Sequence, residues 1–227
     1  MTDIRAYVKQ QSRAVASDGS WQDAAQFREG GLVTGDITSM YQHWLREGRV
    51  FEAHFATEAG FATLENNTAV DLTEPFWRCT VPAANVMVPI RLKVSAAVVW
   101  ETGDEYVLYT SDTDTYSAGG AASDVRNLAI VSSTDSALRT SVLTNVLDGD
   151  TALTESAVTN PRILDAGHFL TGGLYLPYEY NVFKGDPTVY IHGASSLCLM
   201  IARTTTTVEC FYSMVWAELD KASLVNS

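Results

Sequence analysis

The sequence predicts an all-β protein, an antiparallel β-sandwich of about eight to ten strands preceded by a short helical arm. Three observations carry this prediction. Apolar and polar residues alternate with period two after Gly48, helical spacing is confined to the residues before it, and turn-forming residues separate the alternating runs. The 227 residues are 46% hydrophobic and 19% charged, a composition typical of a folded protein with a sizeable core.

The prediction divides the chain into an N-terminal arm with short helices, residues 1–49, and a sandwich, residues 50–227. From Ile4 onward, apolar residues of the arm recur at helical spacing, while Arg5, Lys9 and Arg13 lie four residues apart on another face. This pattern predicts a short basic amphipathic helix. Its three cations are candidates for weak contact with an anionic surface, and a solvated helix face is the competing interpretation.

A second helix follows, with Asp36 as its N-cap and Gly48 as its stop. Its apolar positions recur at intervals of three and four residues, so they form one stripe on the helix surface. The stripe consists of Ile37, Met40, Tyr41, Trp44 and Leu45. Such a stripe must be buried, and we expect it to pack on the sandwich or dock on a neighbouring molecule.

Alternation marks the strands of the sandwich. It begins at 51–55 and is longest from Ile90 to Trp100, where every second residue is apolar. Residues 111–160 are rich in Ser, Thr, Ala and Asp, and they predict long surface loops that hold one strand or a short helix. Further strands are expected at 61–64, 76–81, 106–110, 128–132, 169–176, 188–192, 197–203 and 207–219.

The last of these strands is apolar on both faces. Such a strand lies at the centre of a sheet or is covered by a neighbour, which could be another subunit. Phe211 and Val215 on one face are therefore interface candidates, together with the stripe of the second helix.

Charge and cysteine usage narrow the functional classes. Fifteen Lys and Arg against 27 Asp and Glu give a net charge of −12, and the whole acidic excess lies after Arg49. This balance argues against a general nucleic-acid surface, which requires clustered cations. Three widely spaced cysteines indicate reduced, buried thiols. No apolar run is long enough for a membrane span, and the N-terminus lacks the apolar segment of a signal peptide, so we expect a soluble chain.

No catalytic motif is recognisable. The four histidines lack metal-ligand spacing, and phosphate-loop, dinucleotide-binding and nucleophile-elbow motifs are missing from the sequence. Two pairs of aspartates, Asp112 with Asp114 and Asp148 with Asp150, resemble fragments of calcium loops, but we favour solvated acidic loops. No pair of carboxylates is nominated for glycoside hydrolysis. We expect no enzyme activity, no cofactor and no catalytic, cofactor-binding or metal-binding residue.

Three segments together suggest a family. They resemble the strands and turns of viral shell subunits, and they are AHFATEAGFATLENN, LTEPFWRCTVPAANVMVPIRLKVSAAVVW and LCLMIARTTTTVECFYSMVWAEL. In size and style the chain is similar to the single jelly-roll capsid proteins of tailless bacterial and archaeal viruses with an internal membrane, over about its last three quarters. This resemblance implies an antiparallel jelly roll located in the virion. It also implies that the chain assembles with copies of itself and with other virion proteins, and that the arm contacts genome or internal membrane.

Two further classes of function use the same sandwich. One is a trimeric spike, decoration protein or receptor-binding head of a virion, with residues 111–160 as its binding tip. The other is a carbohydrate-binding or carbohydrate-active jelly roll, for which the tryptophans could supply a stacking platform. A shell protein forms large particles, a spike stops at three subunits, and a carbohydrate-active protein binds or cleaves glycans. The resemblance itself implies no small-molecule substrate.

Overall fold

The computed structural model describes residues 37–55, 62–65, 68–96, 100–112, 116–129, 140–148, 153–155, 157–168, 178–203 and 207–224. The predicted basic helix with Arg5, Lys9 and Arg13 therefore lies outside the described residues. The same holds for the predicted strand at 169–176.

The chain begins with one helix and continues almost entirely in strands. The first elements are α1 (Ile37–Arg46), β1 (Val50–Phe55), β2 (Ala62–Glu65), β3 (Trp77–Val81), β4 (Asn85–Ala96) and β5 (Glu105–Ser111). Short strands follow, namely β6 (Tyr116–Ala118), β7 (Ala121–Ala122), β8 (Asp124–Asn127), β9 (Thr144–Asp148) and β10 (Thr154–Glu155). The last elements are β11 (Arg162–His168), β12 (Tyr178–Asn181), a 3₁₀ turn (Val182–Lys184), β13 (Ile191–His192), β14 (Ser195–Ala202), β15 (Thr207–Asp220) and α2 (Lys221–Leu224).

The long strands form two antiparallel sheets, which confirms the prediction of an all-β antiparallel architecture. In the first sheet the order is β12-β4-β15-β1-β8, with β13 added to β4 and β2 added to β15. In the second sheet the order is β11-β5-β14-β3-β9-β7. Strands β6 and β10 make a separate two-stranded ribbon.

One hydrophobic core lies between the two sheets. Every second residue of each central strand points into it, as the period of two requires. Trp77 and Leu199 enter from the second sheet, and Leu92 and Trp216 enter from the first. The rings of Trp77 and Tyr212 meet edge to face with centroids 6.4 Å apart, so aromatic packing joins the layers directly.

Helix α1 and strand β15 agree with the sequence predictions. The helix ends where Gly48 adopts a positive φ of 66°, and the amide of Arg49 donates to the carbonyl of Trp44 at 2.8 Å. Strand β15 lies between β4 and β1, the central position that its two apolar faces indicate. No helix in the part of the chain that the structure describes is long and apolar enough to cross a membrane.

The strand predictions differ from the structure in several places. The described residues contain fifteen strands against the eight to ten predicted, mainly because five short strands, β6 to β10, lie within 112–161. Strand β12 was also not predicted, and the strand predicted at 188–192 is reduced to β13. Residues 128 and 129 of the strand predicted at 128–132 follow the end of β8 and belong to no strand. Strand β11 escaped prediction because its sequence, RILDAGH, lacks alternation, and a register shift occurs between Ile163 and Asp165.

Candidate interaction surfaces

The outer face of the first sheet consists of polar rows that the strand register brings side by side. Because strands β4, β15 and β1 are adjacent, Arg91, Val215 and Glu52 lie in one row. The next row contains Lys93, Ser213 and His54, and beyond it Ser95 lies beside Phe211. This face belongs to the same strands whose other residues fill the core.

Helix α1 covers the first of these rows. Met40, Tyr41 and Leu45 are partly buried against the core cluster that includes Trp44 and Val215. Burial raises the pKa of the Tyr41 hydroxyl, while Arg91 lowers it and Glu52 raises it, so this hydroxyl lies near the row. The ring of Tyr41 also meets Phe183 of the 3₁₀ turn edge to face at 5.3 Å.

Four of the predicted stripe residues therefore pack within the subunit. Trp44 is only 6% exposed, which makes it a core residue of the monomer. Ile37 belongs to α1, but its side chain lies outside the described residues. The proposed docking role of the stripe stays a prediction, and any docking by α1 must use a helix that is already fixed to its own sheet.

A serine hydroxyl connects the two charged groups beneath the helix. Arg91 Nη2 donates to Ser213 Oγ at 3.4 Å, and that hydroxyl donates to Glu52 Oε1 at 2.7 Å. Ser213 thus links a cation and a carboxylate across three strands. Partly buried charges are tolerated when they are bridged in this way.

Beyond Val215, Ser213 is still only 5% exposed, and Phe211 is the next residue of β15 on this face to reach solvent. Phe211 is 36% exposed, whereas Val215, four residues further along the same strand face, is 5% exposed because α1 covers it. Next to Lys93 on β4 lies Glu179 of the edge strand β12. Lys184 Nζ donates to Glu179 Oε2 at 2.5 Å, and this bond, with one from Asn181, lowers the pKa of Glu179. Two lysines thus lie beside Glu179 at this edge of the sheet.

The outer face of the second sheet is covered in a different way. Val107, Tyr109, Cys198, Met200 and Ala202 form a second apolar cluster there. Segments 68–74 and 157–160 and the ribbon of β6 and β10 lie over it. The hydroxyl of Tyr109 donates to the Leu72 carbonyl at 2.5 Å, and the amide of Glu155 donates to the Thr73 carbonyl at 2.7 Å.

A buried ion pair fastens this cover. Arg78 Nε of β3 donates to Glu155 Oε1 of β10, and both side chains are essentially inaccessible to solvent. The guanidinium also lies 5.1 Å from the centre of the Tyr116 ring in β6. Burial, together with the nearby Glu155, raises the pKa of the adjacent Cys198 thiol to about 12, so the thiol stays protonated. Neither Arg78 nor Glu155 was singled out from the sequence, although an arginine inside the apolar run FWRCTV is a signal for a buried partner.

The segment over the second sheet presents one exposed apolar residue followed by two acids. Val70 is 45% exposed, and Asp71 and Glu74 are exposed on either side of Leu72. Asp71 Oδ1 accepts from the hydroxyl of Thr73 at 2.6 Å and from its amide at 2.9 Å. These hydrogen bonds lower the pKa of Asp71. The segment is consequently anionic and held in a defined turn.

A second buried ion pair joins the ends of β5 and β14. Arg203 Nε lies 3.2 Å from Asp104 Oδ2, and the guanidinium stacks 5.2 Å from the Trp100 ring centre. The amide of Glu101 donates to the same carboxylate oxygen at 2.8 Å. Trp100, predicted as the end of the long strand, is instead a separate buried residue that packs on this pair.

The edges β11 and β12 approach each other on one side of the sandwich. Tyr106 and Tyr178 lie with ring centroids 4.0 Å apart, and a Cβ at Gly167 would come within 2.6 Å of the Tyr106 hydroxyl oxygen. Burial raises the pKa of Asp165, the nearby Tyr178 lowers it, and Asp186 raises it. This contact closes the sandwich with aromatic rings and one carboxyl group whose pKa is raised.

A cleft of about 370 Å³ lies at the end of the sandwich where β1 begins and β15 ends. The carboxylate of Glu218 in its wall accepts from Ser141 Oγ at 2.5 Å, from the Val142 amide at 2.9 Å and from Trp216 Nε1 at 2.9 Å. Arg49, also in the wall, binds Glu47 at 2.7 Å. These polar groups hold the fold together, so the described residues of the wall offer no unengaged acid–base pair on which to build a reaction.

The described residues contain no group of three or more His, Cys, Asp or Glu side chains that could hold a metal ion. Cys79, Cys198 and Cys210 are buried and form no disulfide. Burial raises the pKa of each thiol, which disfavours the reactive thiolate.

Comparison of the chain with family models, curated proteins and solved structures found no match.

Proposed function

We propose that this chain is the shell subunit of a virus capsid, a jelly roll that acts by self-assembly. The observation that carries the proposal is the order of the strands. The eight main strands can be renumbered from one to eight in chain order; they are β1, β3, β4, β5, β11, β12, β14 and β15. In this numbering, the order of neighbouring strands is one, eight, three, six in the first sheet and two, seven, four, five in the second sheet.

This order supports a jelly roll because it is what two interleaved Greek keys produce. Double-sheet jelly rolls of eight strands are typical of viral capsid and lectin domains. The remaining strands are additions at the sheet ends and within 112–161. Fold alone does not determine function, so the choice of a shell subunit rests on the surfaces.

The surfaces favour assembly over catalysis. In the described residues, the buried charges Arg78, Glu155, Asp104 and Arg203 are paired within the fold. Large apolar side chains lie exposed at several separate places, among them Phe211 and Ile163. Exposed apolar residues on several sides suit a subunit that meets several neighbours.

Assembly of this kind needs only modest affinity at each contact. Each contact of a stable interface buries about 1,000–2,000 Å², and closure of the shell multiplies weak contacts into a durable container. The net charge of −12 keeps the free subunit soluble before assembly. The basic residues Arg5, Lys9 and Arg13 would lie inside the shell, in weak contact with genome or membrane.

Concentration-dependent assembly tests this proposal. The purified protein, followed by sedimentation velocity and negative-stain electron microscopy over a rising concentration series, should form closed particles or extended sheets. An assembly that stops at three subunits would favour the spike or receptor-binding head instead. A chain that stays monomeric and binds or cleaves glycans would contradict the proposal in favour of a carbohydrate-active jelly roll.

A further inference from the structure

We draw no further inference here: the strongest candidate, the outer edge of strand β11 with the 62% exposed Ile163, is interrupted by a register shift, and nothing in the described part of the chain shows which strand would pair with it or what would cover it.

Discussion

The two outer faces of the sandwich are covered by different means. The first sheet receives a single amphipathic helix from the adjacent part of the chain, and the helix covers one row and leaves Phe211 open. The second sheet receives segments that are distant in sequence and are fastened by the buried pair of Arg78 and Glu155. The strands themselves explain the difference, because β14 is buried on both faces whereas β4 alternates between apolar and polar residues.

A face that is apolar must be covered permanently, while a polar face can meet water or a partner. Val107, Tyr109 and Met200 would be exposed if the cover of the second sheet were removed. On the first sheet, removal of α1 would expose the charged side chains of Arg91 and Glu52 together with Val215. The first sheet is therefore the face whose uncovered part can stay in contact with water.

Breaking the buried ion pair of Arg78 and Glu155 should have the largest effect on stability. Arg78→Met leaves Glu155 buried without its partner and should lower the free energy of unfolding by about 3–5 kcal/mol. Urea denaturation measures this loss. The exposed Arg162 provides the control, since Arg162→Met should change stability by less than about 0.5 kcal/mol. If Glu155→Leu added to Arg78→Met restores nothing, the pair is not what fastens the cover.

Trp44→Ala tests the cover of the first sheet. Loss of a core indole should lower the free energy of unfolding by about 3 kcal/mol, measured by thermal and urea denaturation. Gln42→Ala on the exposed side of α1 should leave stability nearly unchanged. Unaltered stability combined with lost assembly would contradict the packing of Trp44 and would make the helix a docking element for a neighbour.

The covered and open ends of β15 should respond unequally to a polar side chain. Val215→Asn buries an amide beneath α1 and should reduce the free energy of unfolding by about 2 kcal/mol. Phe211→Asn keeps its amide in contact with water, so we expect a smaller loss of stability and a larger loss of assembly. Parallel denaturation and sedimentation measurements distinguish the two positions. Equal losses of stability at both would show that α1 covers the whole face or none of it.

The pH dependence of stability offers the smallest effect. Burial raises the pKa of Asp165, so its contribution to stability is present below the ordinary carboxyl pKa and is lost as the pH rises through the raised value. Asp165→Asn should therefore gain stability relative to the unaltered protein as the pH increases from acid to neutral, as measured by melting temperature.

Asp71 supplies a comparison of opposite sign. Hydrogen bonds from Thr73 lower its pKa, so its contribution is present at neutral pH and is lost as the pH falls through the lowered value. Asp71→Asn should consequently be less stable than the unaltered protein at neutral pH, and the difference in stability should disappear in acid, as measured by melting temperature. The same trend for both variants would show that the two carboxyl groups do not differ in environment.

The predictions from sequence succeeded where pattern was strong and local. Alternation located β1 and part of β4, a continuous apolar run located β14, and helical spacing with Gly48 located α1 to within a residue. They were poorest between 112 and 161, where strands of two to five residues have no periodicity to detect. The sequence pattern could not separate the two interface candidates of β15, because Val215 and Phe211 lie on the same strand face although the first is buried and the second is exposed.

By itself, the sequence determined that the chain is an antiparallel β protein, that its last strand is either central or covered by a neighbour, and that its acidic charge lies beyond the arm. These properties follow from side-chain periodicity and composition, which each strand carries within itself. Only the tertiary structure decided that Arg78 meets Glu155 and that α1 covers Val215 but not Phe211. It also placed Lys93 and Asp71 on opposite outer faces. Those relations join residues far apart along the chain, and they arise from the register and order of strands that no single segment encodes.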